Sequence, residues 1–211
     1  MTQLWQLSAK QLVLAYQNKQ LSPVEVTQAV IERSQSHAEP LNAISQPLYQ
    51  QALEQAKLAE QRYQKGQTLS ELDGVPCTIK ENVATQGQSN TMGCVVAANA
   101  PAATHTAPSA QRLLAGGSVL IAKTAMTDYG LAGSGASTLN GNCKNPYNTN
   151  LNTNGSSSGS AAALAVGVGP IAIGTDLCGS IRNPAAWCGV VGFKQNYGSI
   201  GHTPAVWGRH A

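Results

Sequence analysis

The chain has 211 residues, of which 42% are hydrophobic and only 11% charged, with 21 glycines and a formal net charge of +3. That length can bury one sizeable core, and that composition excludes a disordered chain and favours a tightly turned α/β domain. The 13 basic residues are scattered and form no patch, which argues against a nucleic-acid partner.

In chain order, the opening MTQLWQLSAK lacks a basic start followed by an apolar run, so no secretory leader is expected. Ser8 to Gln17 reads as a short helix with Leu12, Val13 and Tyr16 on its apolar face. Ser22-Pro23-Val24-Glu25 combines an N-cap, a proline at the first helical position and a capping-box glutamate. It predicts a helix running to about Ser36. A third helix is predicted from Pro47 to Lys65, closed by Gly66. Asp73-Gly74 is a turn, and Val75 to Lys80 is a strand with Lys80 at its end. Ala107 to Leu114 is a helix stopped by Gly116-Gly117, and Val119 to Ala122 is a buried strand. Gly130 to Thr153 is loop-rich. A small-residue helix follows at Gly159 to Val166, then a strand at Pro170 to Gly174 and a sharp turn at Thr175 to Ser180. Ile181 opens a helix that Pro184 is expected to check, and Val190 to Phe193 reads as a last short strand. No periodicity marks His202 to Ala211.

No run of about 18 apolar residues is present, so no membrane span is expected. The five cysteines are odd in number and lack CxxC spacing, and the four histidines form no HExxH pattern. The expectation is free thiols in a reducing cytoplasm, with no metal and no cofactor.

Two serine clusters between glycines, in the stretch Asn154 to Arg182, carry the candidate chemistry. Gly155-Ser156-Ser157-Ser158-Gly159 fits GxSxG, with Ser157 as nucleophile and Asp176 and His202 following in order. That elbow needs a buried strand before it, and residues 148–154 are polar apart from Leu151. A phosphate-binding P-loop would need a lysine after Gly159, and none is there.

A third reading rests on several blocks in order. They are Leu72-Asp73-Gly74-Val75-Pro76, Lys80-Glu81-Asn82, Gly117 to Asp128 and Asn145-Pro146, followed by Asn154 to Ser160 and Gly174 to Arg182. Pro184-Ala185, Cys188-Gly189 and Val191-Gly192-Phe193-Lys194 complete the set. Together they closely resemble the amidase signature family over nearly the whole chain.

The resemblance implies an α/β fold, a mixed β-sheet flanked by helices, incomplete at the C-terminus. Residues 1–211 would be the N-terminal part of a single domain, with 1–66 a helical lead-in and 67–211 the catalytic segment. It implies a Ser–Ser–Lys triad: Ser180 as nucleophile, Ser156 as bridge and Lys80 as base, with a cis peptide bond before Ser156. Backbone N–H groups of Leu177, Cys178, Gly179 and Ser180 would form the oxyanion hole, with Asp176 and Arg182 bracing the turn. Burial of Lys80 would lower its pKa so that it can act as a base. The implied activity is hydrolysis of a small-molecule carboxylic amide through an acyl-enzyme. The alternative is a truncated, catalytically inactive amidase-like fragment or a partner-dependent module. A homo-oligomer or a missing C-terminal half would supply the rest. Departures from the family pattern are Cys178, Asn154 and Ser158, at positions often occupied by glycine, and Gln195-Asn196 in place of a proline and threonine.

Overall fold

The computed structural model describes residues 3–201. The candidate His202 therefore lies outside the described residues, as does the rest of the stretch to Ala211.

Three helices come first: α1 (Ala9–Gln17), α2 (Pro23–Arg33) and α3 (Tyr49–Lys65). Ser8 and Ser22 cap α1 and α2 with reciprocal side-chain and backbone bonds, and Gly66 ends α3 in the left-handed region, φ +66°. The helical run after α2 continues as a π-type turn over Ser34–Ala38 rather than as regular α-helix. The third helix starts later than its sequence suggests because Ile44–Pro47 is strand β1. Leu48 N–H donates to Ile121 O at 3.0 Å, so the chain stays on the sheet through residue 48 and turns into helix after it.

The sheet has four strands in the order β1-β3-β2-β4, with β2 at Pro76–Lys80, β3 at Val119–Thr124 and β4 at Ile171–Ile173. Strand β2 is parallel to both β3 and β4, whereas β1 runs antiparallel to β3. Every residue of β2 and β3 is buried. The segment before residue 67 thus contributes an edge strand as well as helices.

One apolar layer packs α1–α3 through Leu12, Tyr16, Val26, Val30 and Ala56 against Val119 and Ile121. The small-residue helix α5 (Ser158–Ala165) joins this layer through Ala162 and Ala163. A second layer holds Cys77, Ile79 and Leu120 against Ala107 and Ala110, the latter in helix α4 (Pro108–Ala115). Helix α6 (Arg182–Trp187) accommodates Pro184 in its first turn, where a proline removes no intrahelical bond. No strand forms at Val190 to Phe193. Val191 and Phe193 are 92% and 77% exposed, and the segment pairs with none of the four strands. Among the described residues no helix is long and apolar enough to cross a membrane.

Glycine decides how closely α5 sits on the sheet. Gly159 N–H donates to Ala125 O at 2.9 Å. A Cβ there would overlap the Ala43 carbonyl oxygen and lie 2.6 Å from Ala125 N, both backbone atoms that cannot swing aside. Gly159→Ala is therefore expected to destabilise the fold by about 3 kcal/mol, the upper end of overpacking costs. Urea denaturation measures it, and a loss under about 1 kcal/mol would mean that α5 can slide.

Candidate active site

Lys80 ends the central strand β2 and is fully buried, 0% exposed. By strand alternation and register, Lys80 and Thr124 share one face of the sheet, and Ile79 and Lys123 the other. The Lys80 face is the one α5 covers, because Thr124 Oγ1 and Ser160 Oγ are hydrogen-bonded at 2.6 Å.

Lys80 Nζ donates to Ser156 Oγ at 2.7 Å and to Thr175 Oγ1 at 2.8 Å. It forms no ion pair among the described residues, where the salt bridges are Arg62–Asp73 and Arg182–Asp176. Burial lowers its pKa from 10.5 to about 7, against a smaller upward pull from Glu81 and Asp176. A buried amine offered hydroxyls instead of carboxylates is favoured in its neutral form.

Ser156 is 3% exposed, and the peptide bond between Gly155 and Ser156 is cis. Gly130 lies over it: a Cβ at Gly130 would stand 3.3 Å from Ser156 Oγ. Ser157, the elbow candidate, is 2% exposed and occupied elsewhere. Its hydroxyl donates to Thr175 O at 3.2 Å and accepts from Thr175 N–H at 3.3 Å. That pair of bonds fixes the residue that Lys80 uses as its second partner.

Ser180 stands in the turn between β4 and α6. Its carbonyl accepts from Ser157 N–H at 3.0 Å, which ties the two serine clusters together through the backbone. Its hydroxyl has no hydrogen-bond partner among the described residues, so the structure brings Lys80 and Ser156 into contact and leaves Ser180 adjacent by backbone only.

Asp176 organises this turn. Its side chain is 1% exposed and accepts from Gly179 N–H at 2.7 Å, Ile181 N–H at 3.1 Å and Arg182 N–H at 3.2 Å. The Arg182 guanidinium adds two bonds at 3.0 Å. Burial alone would raise the Asp176 pKa, but Arg182 and the three N–H donors outweigh it and hold the carboxyl below the usual range. Of the four candidate oxyanion donors, Gly179 N–H is therefore engaged within the turn. The N–H groups of Leu177, Cys178 and Ser180 have no partner among the described residues. Gly179 has φ +113°, a conformation that L side chains rarely adopt. Leu177 and Cys178 are exposed.

Sequence reasoning passed over Thr175 and Asn82. Asn82 Nδ2 donates to Thr175 Oγ1 at 3.1 Å. Both lie within the quoted blocks, but a threonine and an asparagine beside serines and glycines look like turn residues. Only the convergence of Asn82 and the Lys80 amine on Thr175 Oγ1 distinguishes them.

These pKa displacements make stability rise with pH in two separate windows. Lys80 titrates at about 7 folded against an ordinary 10.5, so between those values the unfolded chain holds more protons, and stability rises with pH. Lys123, lowered chiefly by burial to about 8, adds to the rise from there up to 10.5. Asp176 is displaced downward, so its contribution is present above the ordinary carboxylate range and lost as pH falls through and below it. Lys80→Met is expected to flatten the gain in stability between about pH 7 and about pH 9, measured by urea denaturation. An unchanged slope would mean that Lys80 stays charged in the folded protein.

The sequence matches the Amidase family over residues 25–211. It is similar to a glutamyl-tRNA(Gln) amidotransferase subunit of Deinococcus radiodurans, 37% identical over 193 residues that cover 92% of this chain and 39% of that protein. A bacterial aryl acylamidase of the amidase signature family superposes with a TM-score of 0.80 at 34% identity, covering 85% of this chain and 37% of that one. Peptide amidase from Stenotrophomonas maltophilia gives 0.79 at 27% identity, covering 86% and 38%. The chain thus spans about two-fifths of the length of these relatives. Its mixed four-stranded sheet flanked by helices is part of their fold. By the extent of this match, the chain belongs to the amidase signature family.

Proposed function

We propose that this chain carries the catalytic residues of an amidohydrolase that cleaves a carboxylic amide through an acyl-enzyme on Ser180. The observation that carries this reading is the buried Lys80 amine 2.7 Å from Ser156 Oγ, with no carboxylate to hold it charged. A serine hydroxyl attacks only when a neighbour takes its proton. In the proposed relay, neutral Lys80 accepts the Ser156 proton while Ser156 Oγ accepts that of Ser180. Ser180 Oγ then bonds to the amide carbon, and the carbonyl oxygen takes up negative charge. Backbone N–H groups of Leu177, Cys178 and Ser180 are the donors left for that oxygen, each such donor lowering the barrier by roughly 3–4 kcal/mol. The proton returns through Ser156 to the leaving nitrogen as the C–N bond breaks. Water then attacks the ester by the same relay and releases the acid.

The rest of the pocket belongs, in this reading, to further polypeptide, since the chain spans 39% of its Deinococcus relative. Leu177, Val191 and Phe193 are at least 76% exposed beside the candidate turn, and β4 is an edge strand. A second reading rests on the likeness to that amidotransferase. There the amide nitrogen would pass to an acceptor molecule instead of being released as ammonia or an amine. Ammonia release from a simple amide, with and without an acceptor, separates the two.

A fluorophosphonate probe followed by peptide mass spectrometry tests the nucleophile. The label is expected on Ser180, absent in Ser180→Ala, and still on Ser180 in Ser157→Ala. A label on Ser157 would overturn the assignment. The labelling rate should climb with pH through an apparent pKa of about 7, because the base must be neutral. Lys80→Met should lower that rate at least about a hundredfold, the lower end of what general acid–base catalysis contributes. A rate within about tenfold of the wild type would remove Lys80 from the relay.

A further inference from the structure

Asn82 lies two residues beyond Lys80, the last residue of β2, and is held against the site rather than against solvent. Its Nδ2 donates to Thr175 Oγ1 at 3.1 Å, the same oxygen that Lys80 Nζ reaches at 2.8 Å. Its Oδ1 is buried and has no partner among the described residues. We propose that Asn82 is a positioning residue for the Lys80 amine: by donating to Thr175 it makes that hydroxyl an acceptor toward Lys80, and as an amide it adds no further negative charge beside it. The proposal rests on the reading of Lys80 as the base.

Counting donors and acceptors gives the reason. A threonine oxygen has one proton and two lone pairs, and a neutral lysine amine has two protons and one lone pair. The Asn82 N–H fills one lone pair of Thr175 Oγ1. The other then takes a Lys80 N–H, so Thr175 leaves the amine's lone pair open to the Ser156 proton. Without Asn82, Thr175 is free to turn its own O–H onto the amine and compete with Ser156 for that lone pair. With a carboxylate at position 82, Thr175 would donate to it, and the amine would face an added negative charge.

The other charged groups around the amine are already committed. Glu81, which follows Lys80 at the end of β2, accepts from Thr91 Oγ1 at 2.5 Å, Met126 N–H at 2.8 Å and Asn140 Nδ2 at 3.2 Å. Asp176, after β4, is held by Arg182 and the turn. Lys123 of β3 faces the opposite side of the sheet, where its Nζ donates to Val83 O at 2.5 Å and Thr85 Oγ1 at 3.2 Å. Position 82 is thus the place where one atom's change of type alters what the amine meets.

The test is an NMR titration of the Lys80 side chain, with its signal identified by loss in Lys80→Met. Asn82→Asp is expected to raise the Lys80 midpoint by about one to two pH units. Asn82→Ala, which adds no charge and frees the Thr175 proton, is expected to lower it by about half a unit. A fluorophosphonate rate in Asn82→Asp that is depressed about tenfold near neutral pH and recovers at alkaline pH would agree. A merely structural role would depress it at every pH. Midpoints within about 0.3 pH unit of the wild type in every variant that melts cooperatively would overturn the proposal. The midpoints are read without turnover. If the wild type takes no label, the base reading fails while Asn82 is still decided.

Discussion

The site depends on the desolvation of one amine. An ammonium group moved into a protein interior loses hydration worth several kcal/mol or more, and it keeps its charge only if a carboxylate replaces the water. Lys80, 0% exposed, is offered two hydroxyls and no ion pair. The balance falls on the neutral side, near a pKa of about 7. The central placement of β2 follows from this requirement. Strand β2 has neighbours on both edges and apolar layers on both faces, and this encloses the lysine at its end.

Carboxylates are nonetheless close, and the structure keeps them from neutralising the amine. Asp176 has five donors of its own, three of them from Arg182. Glu81 is buried next in sequence to Lys80 and collects donors from Thr91, Met126 and Asn140. Burial raises the Glu81 pKa, and those donors offset only part of the rise. An opposite charge in direct contact typically shifts a pKa by one to three units, enough to undo much of the effect of burial on Lys80. Supplying each carboxylate with its own donors keeps its influence on Lys80 to a residual attraction.

Much of this is legible in the residues. The Ser22-Pro23-Glu25 cap and the Gly66 stop fix helix ends by local chemistry, which needs no tertiary context. The apolar run that ends at Lys80 puts the lysine at a strand end. Strand β1 is not legible. Ile44–Pro47 is short, ends in proline, and exists because β3 offers it an edge. Val190 to Phe193 is the converse case, an apolar run that pairs with none of the four strands. Within the site, the serines and the lysine stand out as residue types with chemistry. Thr175 and Asn82 do not, because their roles come from convergence across 95 and 93 positions of chain.

The serine run is where the sequence is most ambiguous and the geometry least so. Ser156, Ser157 and Ser158 look interchangeable between their glycines. In the fold each hydroxyl has a separate partner: Lys80 for Ser156, the Thr175 backbone for Ser157, and the Ala125 carbonyl for Ser158 at 3.3 Å. A nucleophile needs a free hydroxyl and room for a carbonyl group. Ser157 has neither: it is 2% exposed, and its oxygen both donates to and accepts from one residue. Among the serines of the two clusters, the hydroxyl left without a partner in the described residues is that of Ser180, partly exposed at the head of α6 beside N–H groups that also lack partners. The ordering is physical rather than positional. The buried hydroxyls hold the frame or meet the amine, and the one left partly open to solvent is the proposed nucleophile.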